Sequence, residues 1–507
     1  MKQHPNIILM LVDDLGYGDL SCFNPESKIR TEHLDALASQ GLACTDMHAA
    51  AAVCSPSRYA LMTGRYNWRS NTKFGVLPGT SPPLIEEGRT TLASLLKEQG
   101  YRTACVGKWH LGMTWSTRPG VEQTYDLFTR ISPDWDMGID FTQPAYGGPL
   151  DRGFDYFFGL PASLSQAPVL FMENRNVLDQ PDHEDGVDDC DTKTPNGMYQ
   201  YERGPLAPGF DFKDAVPRCD AKVLELVEEY AKDDQPFFLY YPTLAVHSPL
   251  VPADEFRGRS GIGDYGDFVL QVDDFVGRLT AKLEETGIAD DTILIFTSDN
   301  GCAGVVDFPK LEALGHRPSY HFRGAKTDIW EGGHRVPFLV RWPGHVAPGT
   351  RCAQTLCLTD LLATFAELTG ASYGDNTGED SVSNLPLWLG EDHPVRSYTV
   401  SHSVVGKYAI RKGPWKLEMC PGSGGLSLPD QAAQAQGLPP IQLYDLSVDV
   451  GEQDNVCNQY PGVVAELTQL LTQCIQQGRS TPGAPQRNNP SDVWPGLDWM
   501  PDEDRPS

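Results

Sequence analysis

The chain has 507 residues and is strongly acidic, with 68 Asp and Glu residues against 40 Lys and Arg residues and a formal net charge of −28. A surface of this sign repels nucleic acid and anionic membranes, and the sequence contains no apolar stretch as long as a membrane span, so neither is expected as a partner. Any site for an anionic ligand must be a local basic pocket, in a protein long enough for a large core and two domains.

The first predicted element is a strand over 6–12, a continuous apolar run that ends in Asp13 and Asp14. Such a run is typical of a parallel strand buried on both faces, and ligands of open α/β sheets bind at the carboxyl ends of these strands. The two carboxylates therefore suggest hard ligands for Ca²⁺ or Mg²⁺, with a solvated turn as the simpler alternative. The run is too short for a signal peptide core, so the sequence as written predicts a cytoplasmic protein, or a periplasmic or secreted one if a leader has been removed.

A helix capped by Thr31 is predicted over 31–40, and the next feature is the sequence Cys-Ser-Pro-Ser-Arg that begins at Cys54. A short predicted helix follows and ends at Gly64, which places Cys54 at a helix N-terminus, where free backbone N–H groups bind anions. Arg58 adds a five-donor cation one turn further on. Taken alone, the pentapeptide also fits a buried structural cysteine beside a helix start.

A second helix, capped by Thr90, is predicted over 90–99, and a strand over 103–106 leads to Lys108 and His110. On an extended chain, residues two apart point to the same side. Each residue alone fits a surface lysine or a hydrogen-bonded histidine. Together, between glycines at a strand end, they predict an anion-binding pair.

Residues 113–215 show weak periodicity and predict long loops over the active face, where specificity usually resides. Trp135, Tyr146, Tyr201 and Arg175 lie in this region among many carboxylates. Aromatic faces suit sugar rings and carboxylates accept hydrogen bonds from hydroxyl groups. Any single one of these aromatic residues also fits simple packing of the loops.

Two strands predicted in the second half also end in polar residues. The strand over 236–241 leads to His247, and the strand over 293–297 runs into Asp299 and Asn300. The second arrangement repeats that of the first strand, so these two oxygen-bearing side chains are candidates to complete a cation site with the carboxylates at the end of the first strand. Helices are predicted over 219–231 and 267–285.

Lys326 stands among small residues, before a predicted strand over 338–341 and a helix over 359–368. The pattern then changes to that of a small antiparallel α+β domain. Its predicted elements are strands over 397–401, 408–411, 415–419 and 442–445 and a helix over 461–475. The sequence thus predicts a catalytic domain over 1–391, a small C-terminal domain over 392–477 and an irregular tail over 478–507.

The order of these motifs resembles that of the type I, formylglycine-dependent sulfatases of the alkaline-phosphatase-like superfamily. The resemblance covers residues 5 to 475 and rests on the following positions: Asp13-Asp14, Cys54-x-Pro-x-Arg58, Gly-Lys108-x-His110, His247-x-Pro, Asp299-Asn300 and Gly-x-Lys326. It implies an α/β sandwich, with a large mixed, mainly parallel sheet between helices and a smaller C-terminal antiparallel sheet. It also implies an arylsulfatase-like sulfuric ester hydrolase.

The resemblance further implies a role for each motif residue. A maturation enzyme oxidises Cys54 to formylglycine; one hydroxyl of the hydrated aldehyde attacks sulfur, and loss of the proton from the other expels sulfate. The implied ligands of Ca²⁺, with Mg²⁺ as the alternative, are Asp13, Asp14, Asp299, Asn300 and the modified Cys54. In the implied catalytic set, Lys108, Lys326 and His247 contact the sulfate, His247 is also the acid for the leaving alcohol, His110 is the partner of the second hydroxyl, and Arg58 orients the diol.

The predicted substrate is a small sulfated carbohydrate rather than a steroid sulfate, whose pocket should be more continuously apolar. We expect the small domain to add His402 or its neighbours to the pocket rim. Two other functions remain compatible with the residues. One is a phosphonate monoester or phosphodiester hydrolase of the same superfamily, and the other is a non-catalytic protein that binds sulfated glycans and keeps Cys54 unoxidised.

Overall fold

A computed structural model describes residues 4–121, 138–186, 202–490 and 494–506. Its strands are β1 (Asn6–Val12), β2 (Leu42–His48), β3 (Arg102–Lys108), β4 (Tyr156–Leu160), β5 (Met172–Glu173), β6 (Asn176–Val177), β7 (His183–Asp185), β8 (Gly204–Leu206), β9 (Phe237–Pro242), β10 (Thr292–Ser298), β11 (Arg335–Arg341), β12 (Thr350–Cys352), β13 (Leu356–Cys357), β14 (Thr399–His402), β15 (Tyr408–Lys412), β16 (Trp415–Glu418) and β17 (Gln442–Asp445). Its helices are α1 (Glu32–Gln40), α2 (Cys54–Thr63), α3 (Leu92–Glu98), α4 (Phe212–Tyr230), α5 (Asp264–Glu285), α6 (Phe308–Ala313), α7 (Glu331–His334), α8 (Leu361–Thr369), α9 (Leu385–Trp388), α10 (Asp430–Ala435) and α11 (Pro461–Gln477).

The large sheet is mixed and mainly parallel at its centre. Its strand order is β12-β2-β11-β10-β1-β9-β3-β4-β5-β6, with β13 also paired to β2. Strands β10, β1, β9, β3 and β4 run parallel, while β11 runs antiparallel to both β10 and β2. The carboxyl ends of the five parallel strands therefore meet at one edge of the sheet. The predicted fold class is confirmed.

Helices cover both faces of this sheet. Alternate residues of β1 point to opposite sides, so that Ile8 packs in a core with α1, α4 and α5, and Leu9 packs in a core with α2, α3 and α8. Every residue of β1 is buried. Burial on both faces explains why this strand is apolar throughout rather than alternating.

Several predicted boundaries are wrong by a few residues. Helix α3 is capped by Thr91 rather than Thr90, because the Thr91 side chain accepts from the backbone N–H of Ser94, whose hydroxyl bonds back to the Thr91 N–H. Helix α4 begins at Phe212 rather than at 219, since the Asp211 side chain accepts from the Lys213 N–H. Side-chain caps of this kind satisfy N–H groups that the helix itself leaves free.

The small sheet is antiparallel, in the order β14-β15-β16-β17. It packs on α11, and its core continues into the large sheet's side of the molecule through Tyr66 and Trp68, which follow α2. In the C-terminal tail, Leu497 and Met500 are buried in the same core. Within the described part of the chain, no helix is both long enough and apolar enough to cross a membrane.

Candidate active site

The predicted site residues gather at the carboxyl edge of the parallel strands. Strands β1 and β10 are in register, with Val12 opposite Ser298, so the residues that follow them are neighbours. The backbone N–H of Asp299 donates to the carbonyl of Val12 over 3.0 Å. Lys108 ends β3, and His247 lies in the loop after β9, so four adjacent parallel strands converge on one site.

Two consecutive carboxylates, Asp13 and Asp14, both face this site. Consecutive residues of an extended strand would point to opposite sides, but Asp14 adopts a left-handed backbone conformation with φ of 65°. Its N–H donates to Oδ1 of Asp299 over 3.2 Å. The turn brings both side chains toward Cys54, whose sulfur lies 3.4 Å from Oδ1 of Asp13 and 4.0 Å from Oδ1 of Asp14.

Cys54 is the first residue of α2 and is fully enclosed. Burial raises the pKa of its thiol to about 12; the carboxylates of Asp13 and Asp299 add to the shift, and the ammonium groups of Lys108 and Lys326 oppose it. At neutral pH the unmodified side chain is therefore a protonated thiol and a weak nucleophile. The surroundings of Cys54 therefore disfavour a cysteine thiolate.

Arg58 bridges the two strand ends from beneath. Its Nε and Nη2 lie 2.9 and 2.8 Å from Oδ2 of Asp299, Nη2 lies 3.4 Å from Oδ1 of Asp13, and Nη1 donates to the carbonyl of Lys108 over 3.0 Å. Burial lowers the pKa of the guanidinium, but the two carboxylates outweigh burial and raise it. The side chain is therefore a fixed positive charge beside the Cys54 turn.

Each lysine of the site pairs with a different carboxylate. Nζ of Lys108 lies 2.7 Å from Oδ2 of Asp13, and Nζ of Lys326 lies 2.8 Å from Oδ2 of Asp14. Burial raises the pKa of the Asp13 carboxyl, but the neighbouring cations, Lys108 foremost, outweigh it and hold this pKa well below its usual range. The site thus places two ammonium groups around Cys54.

The two histidines of the site are uncharged at neutral pH. His110 is not on extended chain, contrary to the prediction, but has a left-handed φ of 54°, and its backbone N–H donates to the carbonyl of Pro161 over 2.9 Å. Its ring Nε2 donates to the carbonyl of Leu77 over 2.8 Å. Its buried Nδ1 has no hydrogen-bond partner among the described residues. Burial lowers the pKa of His110 well below its usual value, and Lys108 and Arg58 lower it further.

His247 lies beside Asp14. Its Nδ1 donates to the carbonyl of Ser248 over 2.7 Å, which leaves Nε2 facing Oδ2 of Asp14 at 3.6 Å. Burial, followed by Lys326, lowers the pKa of His247 to about 4, against the opposing charges of Asp14 and Asp13. The ring nitrogen that faces the site therefore carries a lone pair at neutral pH.

The acidic cluster fits a hard divalent cation. The ligand atoms that this cluster offers are all oxygens, from Asp13, Asp14, Asp299 and Asn300. Oxygen ligands suit Ca²⁺ and Mg²⁺ better than they suit zinc. The Asn300 Nδ2 donates to Asp14 over 2.8 Å, whereas its buried Oδ1 accepts no hydrogen bond from any described residue. Burial, and then the charge of Asp13, raise the pKa of Asp299 to about 6. A bound cation would stabilise both the buried oxygen without a hydrogen bond and the carboxylates that repel each other.

The motif residues thus lie together in one site. Comparison with known proteins identifies the family of the chain. A family model described as Sulfatase matches residues 5–371. The chain belongs to the sulfatase family. It is a sulfuric ester hydrolase.

Its relatives include enzymes from bacteria and mammals. The chain is 35% identical to an N-acetylgalactosamine-6-O-sulfatase from Bacteroides thetaiotaomicron over 93% of each protein. It is 32% identical to human arylsulfatase A, with 92% of this chain and 86% of that protein covered. A solved structure described under the metabolism of multiple glycosaminoglycans by Bacteroides thetaiotaomicron superposes with a TM-score of 0.78 and 33% identity, covering 92% of this chain and 98% of that one.

A pocket of about 580 Å³ opens above Cys54 in this sulfatase. Its walls include four of the predicted site residues, Asp14, His110, His247 and Lys326. Most of the other side chains of the rim lie on irregular loops with no periodic signal, so the sequence did not indicate them. They include Val76, Ser165, Gln166, Val305, Thr327, Leu426 and Ser427.

Two of the loop residues expected to contact the substrate, Tyr146 and Arg175, do not line the described pocket. Arg175 pairs with Asp151 over 2.6 Å and stacks on Tyr146. His402 itself is buried against Asn67, with 3.0 Å between their side-chain nitrogens. The expectation that the small domain adds His402 or its neighbours to the pocket rim is met by Val404. The other two predicted contacts, Trp135 and Tyr201, fall outside the described residues.

Proposed function

We propose that this sulfatase removes sulfate from a sugar, that its nucleophile is formylglycine made from Cys54 by a maturation enzyme, and that a bound Ca²⁺ supports the reaction, with Mg²⁺ as the alternative. The observation that carries the proposal is the position of the Cys54 sulfur within 4.0 Å of both Asp13 and Asp14, at the base of a pocket walled by Lys326 and two neutral histidines.

The modified residue would supply the nucleophile that the unmodified residue lacks. With a thiol pKa of about 12 from burial, Cys54 supplies almost no thiolate at neutral pH. The hydrated aldehyde supplies two hydroxyl groups on one carbon, one to attack sulfur and one whose deprotonation releases the sulfate. Arg58, four residues on and fixed by Asp299, holds positive charge beside this carbon.

The cation would be held by Asp13, Asp14, Asp299 and Asn300 and would supply Lewis-acid stabilisation of developing negative charge. Lys108 and Lys326 approach the site from β3 and from the loop before α7. Each ammonium group lies within hydrogen-bond distance of one of these carboxylates, which fixes its positive charge in the site. Both ammonium groups would contact the oxygens of a sulfate bound there.

The two histidines suit two different proton transfers. Because Leu77 occupies Nε2 of His110, Nδ1 is the atom free to accept a proton from a hydroxyl at position 54. Nε2 of His247 faces the pocket, and we propose that it takes up a proton when the negatively charged sulfate ester binds beside it and then gives that proton to the leaving alcohol. These roles agree with the family resemblance and stay proposals.

The sugar class is supported by the relatives rather than by the motif residues. The N-acetylgalactosamine-6-O-sulfatase relative covers nearly the whole chain, and we propose a 6-sulfated N-acetylhexosamine as the preferred substrate. The test is a panel of the 4- and 6-sulfates of N-acetylgalactosamine, N-acetylglucosamine 6-sulfate, galactose 6-sulfate, an aryl sulfate and a steroid sulfate. We expect the highest kcat/KM for a 6-sulfated N-acetylhexosamine. Turnover of the steroid sulfate above every sugar would refute the sugar proposal.

A further inference from the structure

One wall of the active-site pocket is built by loops of the small sheet. Val404 lies in the turn between β14 and β15, and Leu426 and Ser427 lie in the connection between β16 and β17. These loops come from a different sheet than the catalytic residues. They contact the catalytic loop at Thr327, the residue after Lys326.

Thr327 makes three hydrogen bonds to backbone groups, and two of them connect it to the loops of the small sheet. Its N–H donates to Ala52 over 2.7 Å, its carbonyl accepts from Val404 over 3.1 Å, and its hydroxyl accepts from the N–H of Leu426 over 3.1 Å. Thr327 has a left-handed φ of 85°, which is costly for a β-branched residue and persists only where neighbours hold it. The Leu426 loop is therefore fixed relative to Lys326.

Further bonds hold the same loop. Ser427 donates from its N–H to Asp328 over 3.2 Å, and the hydroxyl of Ser423 accepts from the N–H groups of Gly425 and Leu428. The Leu426 side chain is nevertheless 72% exposed at the mouth of the pocket. Because the loop backbone is fixed, this exposed apolar side chain stays at the pocket mouth, where a ligand can contact it.

The pocket mouth carries both apolar and polar side chains. Val305, in the loop after β10, Val404 and Leu426 supply apolar groups. Ser165 and Gln166 follow β4, which lies four strands away from β10 in the sheet order, and they supply a hydroxyl and an amide. The Gln166 amide is itself anchored, since Nε2 donates to the carbonyl of Leu77 over 3.1 Å.

We infer that this mouth is a subsite for the sugar ring, in which Leu426 and Val404 contact the apolar C–H face of a pyranose and Ser165 and Gln166 bind its hydroxyl groups. The inference rests on the proposed sugar substrate. A pyranose presents a C–H surface and a polar edge, and the mouth offers aliphatic groups for the first and a hydroxyl and an amide for the second. Recognition thus depends on aliphatic residues of the small sheet instead of the aromatic loop residues expected from the sequence.

The test compares Leu426→Ser with the control Leu438→Ser. Leu438 lies in the same β16–β17 connection and is 40% exposed, but it does not line the described pocket. For each protein, KM and kcat are measured with N-acetylgalactosamine 6-sulfate, and Ki is measured for inorganic sulfate, which probes the anion site alone. The thermal unfolding of both variants is compared with that of the wild type.

We expect Leu426→Ser to raise KM by about fivefold to tenfold, because it removes an apolar contact made in both ground and transition states, with kcat and the sulfate Ki unchanged. Leu438→Ser should behave as wild type, and Leu426→Ile should restore most of the affinity. An unchanged KM in Leu426→Ser would overturn the inference, as would a sulfate Ki that rises by the same factor as KM. Absence of wild-type turnover of any sugar sulfate, with an aryl sulfate cleaved, would instead overturn the proposed sugar substrate and the subsite with it.

Discussion

The sulfur of Cys54 lies 3.4 Å from Oδ1 of Asp13, which itself pairs with Lys108 over 2.7 Å. A helix N-terminus and two strand ends therefore meet at one point. Any group formed at position 54 therefore lies between carboxylate oxygens, which can bind a cation, and an ammonium group. The predictions below follow from that arrangement.

Asn300→Ala should weaken binding of Ca²⁺ by about tenfold or more, because it removes an oxygen donor from a site with few ligands. Binding is measured by calorimetry on protein treated with a chelator. Asn376→Ala, a change at an exposed loop residue, is the control and should bind as wild type. Equal affinity in Asn300→Ala and wild type would remove Asn300 from the ligand set.

Calcium removal should abolish turnover, and calcium addition should restore it. If the cation stabilises negative charge in the reaction, exhaustive chelation leaves the carboxylates of Asp13 and Asp14 to repel the sulfate ester. The measurement is the rate with a sulfate ester before chelation, after it, and after addition of Ca²⁺ or Mg²⁺. Full activity without any divalent cation would contradict the proposed site.

Lys326→Ala should lower kcat/KM by about 100-fold or more, since it removes a fixed cation that we propose to contact the sulfate oxygens. Lys326→Arg should recover only part of this loss, because the guanidinium is larger and planar. Lys310→Ala, on the exposed side of α6, provides the matched control. A Lys326→Ala enzyme with unaltered kcat/KM would rule out sulfate contact by this residue.

Cys54→Ser should trap a covalent sulfate. A single hydroxyl can attack sulfur, but without a second hydroxyl on the same carbon the sulfated side chain has no internal route to release. Incubation with an aryl sulfate followed by intact-mass measurement should show addition of one SO₃ group. Sustained turnover by Cys54→Ser would show that release does not need two hydroxyl groups.

Leu497→Ala should lower the free energy of unfolding by about 2–4 kcal/mol, because Leu497 is a tail residue buried in the core of the small sheet. Denaturant titration measures the change. Leu438→Ala, at an exposed leucine, should alter the free energy by less than about 0.5 kcal/mol. A loss no larger than that of the control would mean that the tail contributes little to stability.

The sequence was most informative at the ends of the central strands. The continuous apolar runs of β1 and β10 identify buried parallel strands, so the polar residues after them could be assigned to one sheet edge before the strand order was known. Gly64 likewise located the end of α2. Individual boundaries such as the cap of α3 depend on reciprocal side-chain bonds that local pattern does not reveal.

The pocket rim could not be predicted in the same way. Val404 and Leu426 reach the site only because the small sheet packs beside α2 and donates two hydrogen bonds to Thr327. Such long-range contacts leave no periodic signal in the sequence. The left-handed turns at Asp14 and His110 are equally hidden, since they are stabilised by Asp299 and Pro161 from other parts of the chain.

The central claim is that Cys54 becomes the reactive group, and mass spectrometry of the peptide that contains Cys54 tests it most directly. The protein is produced with and without a formylglycine-generating enzyme, and the modified fraction is compared with kcat for a sulfate ester. We expect an aldehyde in place of the thiol and activity proportional to the modified fraction. Full activity in protein whose Cys54 is entirely unmodified thiol would contradict the account.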